Sequence, residues 1–186
     1  MGDPISPAMA IVTCAKMEEK WIATIPQHVR GRFVAKRYMD DILIIYAVGD
    51  NWNHDDFLEK MIHSYDEPLE LEEGKEGTFL ETTYEVSATD IRYKLKNENE
   101  RMTKIWRYQH FQSYSPFSQK RATLIACLRK VQRHASDRIN LHSSALAKLR
   151  EFRNLGYPKD VLTKACTHLA ISSEDPTWLS IRGMTI

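Results

Sequence analysis

The stretch RYMDDILIIY, Arg37 to Tyr46, places two adjacent aspartates at the start of one of the most apolar runs in the chain. The residues on either side of Met39 to Asp41 are mainly β-branched, aliphatic or aromatic, which is typical of strands. The sequence therefore predicts strands at about residues 32–38 and 42–48, joined as a hairpin with Asp40 and Asp41 at its turn.

Two consecutive carboxylates repel each other, so an exposed Asp-Asp pair is costly unless a cation lies beside it. Mg2+ is commonly bound by one or two carboxylates together with the phosphates of a substrate, and two such ions can stabilise the attacking and leaving oxygens of a phosphoryl transfer. Asp40 and Asp41 are therefore candidate metal ligands. The other interpretation of the dipeptide is a plain hairpin turn.

The bulk composition is that of a globular protein. The chain has 186 residues, of which 42% are hydrophobic and 27% charged, enough for one domain of ordinary size or two small ones. No apolar run of about 18 residues exists, so no membrane-spanning helix and no membrane partner are predicted. Three widely spaced cysteines indicate reduced thiols and an intracellular protein, nuclear or cytoplasmic.

The net charge of +1 conceals an uneven distribution. Residues 51–100 contain 5 Lys/Arg against 14 Asp/Glu, whereas residues 101–186 contain 15 against 5. Basic residues interleaved with aromatic ones in the C-terminal half are the electrostatic pattern expected of a nucleic-acid partner. A solvated helix face is the alternative.

Periodicity and capping residues predict an α+β chain. Strands are predicted within residues 78–95, and helices at about residues 7–21, 57–65, 117–134, 143–154 and from Pro158 onward. Ser6 and Ser115 are the predicted caps of two helices whose first positions are Pro7 and Pro116.

Two motifs together point to a family. Tyr38-Met39-Asp40-Asp41 between apolar strands resembles the catalytic hairpin of reverse transcriptases, and GDPISP, residues 2–7, resembles the Gly-x-Pro-x-Ser-Pro loop and helix upstream of that hairpin. Residues 72–86 are similar to the lysine-bearing turn and strand of the family. Residues 106–137 and 151–162 resemble the thumb of Penelope-like and related cellular enzymes.

The resemblance implies that residues 1–100 form the C-terminal part of a polymerase palm and residues 101–186 a basic helical thumb. It implies an RNA-directed DNA polymerase that uses Mg2+ or Mn2+, an RNA template, a DNA primer and deoxynucleoside triphosphates. The family also has a third carboxylate and fingers upstream of the loop. Because the sequence begins at that loop, we expect a fragment that is inactive in isolation.

The resemblance also implies roles for individual residues. Asp40 and Asp41 correspond to the catalytic metal ligands, and Tyr38 and Met39 to residues beneath the primer end and the template. The remaining positions implied to lie near the templating base and the nucleotide are Gly2, Pro4, Ser6 and Lys75.

The helix predicted at residues 117–134 carries the candidate contacts to a nucleic-acid backbone. Its cations are Lys120, Arg121, Arg129, Lys130 and Arg133. A non-catalytic nucleic-acid-binding remnant is therefore the alternative function. A nucleotidyl cyclase palm is a third possibility, since it also carries acids on a hairpin turn. It does not account for GDPISP or for a basic thumb.

Two further groups carry weaker hypotheses. A zinc site could be drawn from His134, His142, Cys166 and His168, but Cys166 and His168 are two residues apart and point to different faces of a helix. Base stacking or packing between sheet and thumb accounts equally well for the aromatic group Trp106, Tyr108, His110, Phe111 and Tyr114.

Overall fold

The structure, a computed structural model, has an α+β fold that divides into two compact units. Unit 1 is Met1–Glu76 and unit 2 is Gly77–Ile186. The structure describes residues 6–47, 54–66, 69, 71–72, 74, 77–96 and 107–184. None of the described helices is both long enough and apolar enough to cross a membrane.

Unit 1 consists of helices and one β-hairpin. Its elements are α1 (Ser6–Thr24), α2 (Gln27–Arg30), β1 (Phe33–Tyr38), β2 (Asp41–Tyr46) and α3 (His54–Ile62). The predicted hairpin is confirmed, with β1 and β2 antiparallel. The second strand begins at Asp41 rather than at Ile42, so Asp41 belongs to the strand and not to the turn.

An aromatic cluster holds the hairpin against the helices of unit 1. The ring of Phe57 in α3 lies 5.6 Å from Trp21 in α1, 5.5 Å from Phe33 in β1 and 5.9 Å from Tyr46 in β2. Phe33 and Tyr46 are partners in the strand register. Because side chains alternate along a strand, the hairpin has one face on this cluster and the other face turned away from it.

Within residues 77–96 and 107–184, unit 2 combines a three-stranded antiparallel sheet with four helices. Its elements are β3 (Thr78–Phe79), β4 (Thr82–Val86), β5 (Ile91–Leu95), α4 (Phe117–Arg133), α5 (Arg138–Asn154), α6 (Lys159–Ser173) and α7 (Thr177–Met184). Its core consists of apolar side chains from all four helices, including the fully buried Leu124, Phe152, Leu169 and Trp178.

The sheet belongs with the helices and not with the hairpin. The amide of Ser136 donates to the carbonyl of Tyr93 in β5 at 2.9 Å, and the amide of Tyr93 donates to Ser136 Oγ at 3.0 Å. Lys130 of α4 forms an ion pair with Glu81. The compact units therefore divide near residue 76, whereas the sequence predicted a boundary near residue 100.

Helix ends in unit 2 differ from their predicted positions. Pro116 occupies the cap position of α4 without a side-chain cap, so Ser115 does not cap this helix. The fifth helix begins at Arg138, because Asp137 caps it by accepting from the amide of Asn140 at 2.8 Å. Its predicted end is confirmed, since Gly156 has a φ of +82° just beyond Asn154.

Candidate functional site

The Asp-Asp motif lies at a tight, strained turn. Tyr38 pairs with Asp41 in the register, which leaves Met39 and Asp40 as a two-residue connection. Met39 has a φ of +55°, a left-handed conformation that is uncommon for a bulky residue. Met39 is 76% exposed, and Asp40 and Asp41 are exposed as well. Backbone strain at an exposed turn is a feature found preferentially at functional sites.

Strand alternation assigns Asp41 to one face of the hairpin. Phe33 and Arg37 are on the face that meets the helices, so Lys36 and Tyr38 are on the opposite face together with Asp41, the register partner of Tyr38. Tyr38 is 59% exposed. The carboxylate of Asp41 therefore lies beside an accessible phenol ring, next to the turn that carries Asp40.

A partly buried polar network anchors the strand that leads into this turn. Arg37 Nη2 lies 3.2 Å from Glu18 Oε2, and the Tyr65 hydroxyl donates to Glu18 Oε1 at 2.6 Å. Burial raises the pKa of Tyr65, as does its hydrogen bond to Glu18. Burial opposes the charge of Arg37, but its contacts with Cys14 and Glu18 outweigh that effect and raise its pKa. The end of β1 is thus tied to α1 and to the residues after α3.

This network leads to a stability prediction. Glu18→Ala removes the shared acceptor of Arg37 and Tyr65. Arg37 keeps its contact with Cys14 but loses its ion pair, and the partly buried Tyr65 hydroxyl loses this acceptor, so we expect β1 to open more easily by about 1–3 kcal/mol. Amide hydrogen exchange of β1 measures that opening. Glu19→Ala is the matched control, because Glu19 is exposed and its replacement should change the opening by less than about 0.5 kcal/mol. Equal protection in the two variants would contradict the anchoring role.

The other nucleotide-site residues implied by the resemblance are only partly covered by the structure. Ser6 is the first residue of α1 and is exposed. Gly2, Pro4 and Lys75 lie outside the described residues. Within the described part of the chain, no three His, Cys, Asp or Glu side chains form a group able to hold a metal ion.

The structure separates the five predicted backbone-binding cations of α4. Lys120 is only 6% exposed, and its Nζ donates to the carbonyls of Phe111 at 2.7 Å and Ser113 at 2.5 Å. The burial of Lys120 has a simple cause: the loop before α4 presents its carbonyls to the first turn, and the ammonium group binds them. Lys120 therefore fastens that loop.

Lys130 also has a partner within the protein, in this case a carboxylate of the sheet region. It forms an ion pair with Glu81, and the hydrogen bond from Lys130 lowers the pKa of that carboxyl group. Arg121, Arg129 and Arg133 are exposed. At about 100° per residue, Arg129 and Arg133 lie about 80° and 120° around the helix from Arg121. The available cations of α4 are therefore these three arginines, spread over one outer arc.

Most of the aromatic residues before α4 serve packing. The Tyr108 ring stacks on Phe152 at 4.8 Å, and Phe111 lies 5.2 Å from Tyr157 in the core. Tyr114 is fully exposed. The His110 ring lies against Gly156, where a Cβ would come within 3.0 Å of it. Trp106 lies outside the described residues.

Cys166 is completely buried in the core of unit 2, so it is not available as a ligand of the zinc site considered from the sequence.

Comparison with known proteins gives no family assignment. No protein-family model, no curated protein and no solved structure matches the chain. The function must therefore be argued from the residues themselves.

Sequence reasoning missed the anchoring network and the exposed cations of α6, Lys159 and Lys164. Glu18 and Tyr65 are 47 positions apart, and no local pattern indicates that they meet. Arg37 directly precedes the Tyr-Met-Asp-Asp motif, which was the one available signal. The cations of α6 carried no signal, because they are dispersed among the core positions of that helix.

Proposed function

We propose that the chain carries part of the active site of an RNA-directed DNA polymerase, in which Asp40 and Asp41 hold Mg2+ or Mn2+. The observation that carries the proposal is the exposed Asp-Asp pair at a strained two-residue turn directly after Tyr38 and Met39. Met39, with its positive φ, directly precedes Asp40 in the turn, and Asp41 is paired with Tyr38 in the strand register.

The chemistry of the site is nucleotidyl transfer. When bound, a divalent ion would neutralise charge on the triphosphate and favour ionisation of the primer 3′ hydroxyl. The aspartates would hold the ion, Asp41 from the first position of β2 and Asp40 from the turn. Tyr38, exposed on the same face as Asp41, would offer a surface for the primer end, and the exposed Met39 at the tip would offer one for the template.

The palm and thumb assignments are part of this proposal. The hairpin of unit 1 supplies the palm carboxylates, and the helices of unit 2 supply a basic surface for an RNA template paired with a DNA primer. The alternative is a nucleic-acid-binding remnant without catalysis. It is favoured by the exposed arginines of α4, which require no metal.

A linkage experiment separates the two functions. Because Mg2+ and Mn2+ bind through carboxylates and substrate phosphates together, a deoxynucleoside triphosphate should tighten Mn2+ binding to the protein. We expect Asp40→Asn combined with Asp41→Asn to remove this coupling. Asp55→Asn combined with Asp56→Asn is the control, since these residues form a second adjacent, exposed aspartate pair at the start of α3, in which Asp56 is ion-paired with Lys60 at 2.7 Å.

The titration measures free Mn2+ by electron paramagnetic resonance, with and without the triphosphate. Coupling that survives the Asp40 and Asp41 replacements, or that disappears in the Asp55 and Asp56 control, would contradict the proposal. Absence of coupling in the unmodified chain would favour the remnant.

A further inference from the structure

A groove of about 480 Å³ lies between α4 and α6 on the surface of unit 2. A second concavity of about 590 Å³ lies beside the start of α6. Asp160 and Lys164 line both, so the two concavities adjoin along α6. We call the two adjoining concavities together the cationic trough. It is lined by Phe117, Arg121, Arg153, Pro158, Lys159, Asp160, Val161, Thr163, Lys164, Thr167, His168 and Ile171.

Positive charge predominates in the cationic trough. Arg121, Arg153, Lys159 and Lys164 face a single acid, Asp160. Lys164 and Asp160 are 3.5 Å apart in an exposed contact one helical turn apart, which contributes little in water and is readily exchanged for a stronger anion. A polyanion laid along the trough would therefore find a surplus of cations drawn from three helices.

An aromatic ring lies at one end of the trough. Phe117 is 53% exposed although it belongs to the first turn of α4. Its ring meets Phe111 in an edge arrangement at 6.2 Å, and Phe111 contacts Tyr157 in the core. The ring is thus held in position by the core while much of its surface stays open. Ile171, 74% exposed, supplies a second apolar wall.

A fixed, accessible aromatic ring beside a row of cations matches the chemistry of a single-stranded nucleic acid. Its bases have free faces that can stack on Phe117, and its phosphates can follow the cations. A duplex also presents phosphates, but its base faces are stacked inside the helix and cannot stack on the ring of Phe117. An acidic peptide would use the cations but gains no stacking.

We propose that the cationic trough binds single-stranded nucleic acid, with a base stacked on Phe117 and phosphates on Arg121 and Lys164. This site does not depend on the metal chemistry proposed for Asp40 and Asp41. The arginines Arg129 and Arg133 lie further around α4 and outside the trough. Binding of a single strand should therefore survive Asp40→Asn combined with Asp41→Asn, which makes failure of one proposal distinguishable from failure of the other.

The test is fluorescence anisotropy of the full chain with a labelled oligothymidylate of about 12 nucleotides over a range of salt concentrations. We expect Phe117→Leu to weaken binding about tenfold with little change in salt dependence, because it removes stacking and keeps the charge. We expect Lys164→Gln to flatten the slope of log affinity against log salt by about 0.7, the value for one phosphate contact on a single strand.

Two variants serve as matched controls. Tyr114→Leu removes a fully exposed aromatic outside the trough, and Arg138→Gln removes an exposed cation of α5. Circular dichroism checks that each variant is folded. The proposal is overturned if Tyr114→Leu weakens binding as much as Phe117→Leu, if Arg138→Gln changes the slope as much as Lys164→Gln, or if Phe117→Leu has no effect. Displacement of the oligonucleotide by polyglutamate at equal charge would also overturn it, in favour of an acidic-peptide site.

Discussion

Purified residues 1–186 are expected to add no nucleotides to a primer in the presence of Mg2+. Two-metal nucleotidyl transfer requires ions held in a fixed position relative to both the attacking and the leaving oxygen. Asp40 and Asp41 are exposed at the turn, and the described residues group no third carboxylate with them. Two carboxylates alone should bind the ion weakly and leave the triphosphate poorly aligned.

A gel assay with a labelled DNA primer on an RNA template measures this expectation. Robust incorporation would show that the active site has been placed incorrectly, above all if it persisted after Asp40→Asn combined with Asp41→Asn. Incorporation that disappeared in that double variant would keep the aspartates as ligands and contradict only the expected inactivity.

Replacement of Arg121 and Arg129 by glutamine should produce the largest change in duplex binding. Both side chains are exposed on α4, and each phosphate they neutralise releases condensed counterions. We expect the unmodified chain to bind an RNA–DNA duplex with micromolar or weaker affinity. In the double variant the slope of log affinity against log salt should flatten by roughly one to two units.

The matched control is Arg138→Gln combined with Arg150→Gln, which removes the same charge from exposed positions of α5. If both double variants flatten the slope equally, net charge alone attracts the duplex and α4 has no particular role. If the α4 variant keeps its affinity and slope, the basic C-terminal half is a solvated surface. Lys120 is omitted from this test because its ammonium group is bonded to two carbonyls.

The hairpin was predictable because its signal is local. Apolar strand residues flank a polar dipeptide, so residues 33–46 fold as the pattern indicates. The positive φ of Met39 was not predictable, because it follows from the two-residue connection that the pairing of Tyr38 with Asp41 enforces. That same pairing moved Asp41 from the turn into the strand.

Three of the four described helices of unit 2 were predictable, and their buried faces more reliably than their ends. Leu124, Leu128 and Val131 recur at helical spacing in the sequence and are all buried. The start of α5 was placed too late because its first turn carries Ile139, which is 77% exposed and breaks the amphipathic pattern. The eight-residue α7 was missed altogether, although its Trp178 is completely buried.

The fate of individual cations could not be predicted from helical geometry. A helical projection treats Lys120 and Arg121 as neighbours at the edge of one basic face. The difference between them depends on the loop before α4, whose carbonyls at Phe111 and Ser113 capture Lys120. Likewise, only the folded sheet brings Glu81 to Lys130. Tertiary contacts of this kind decide which charges remain available to a ligand.

In the proposed function, Asp40 in the turn and Asp41 at the start of β2 together hold a divalent cation for nucleotidyl transfer. The most direct measurement is paramagnetic broadening of backbone amide signals by substoichiometric Mn2+ in the presence of a deoxynucleoside triphosphate. We predict broadening centred on Tyr38 to Ile42, absent after Asp40→Asn combined with Asp41→Asn. Equal broadening of the signals of Asp55 and Asp56 would contradict this role. Broadening of Tyr38 to Ile42 that is unchanged after Asp40→Asn combined with Asp41→Asn would also contradict it.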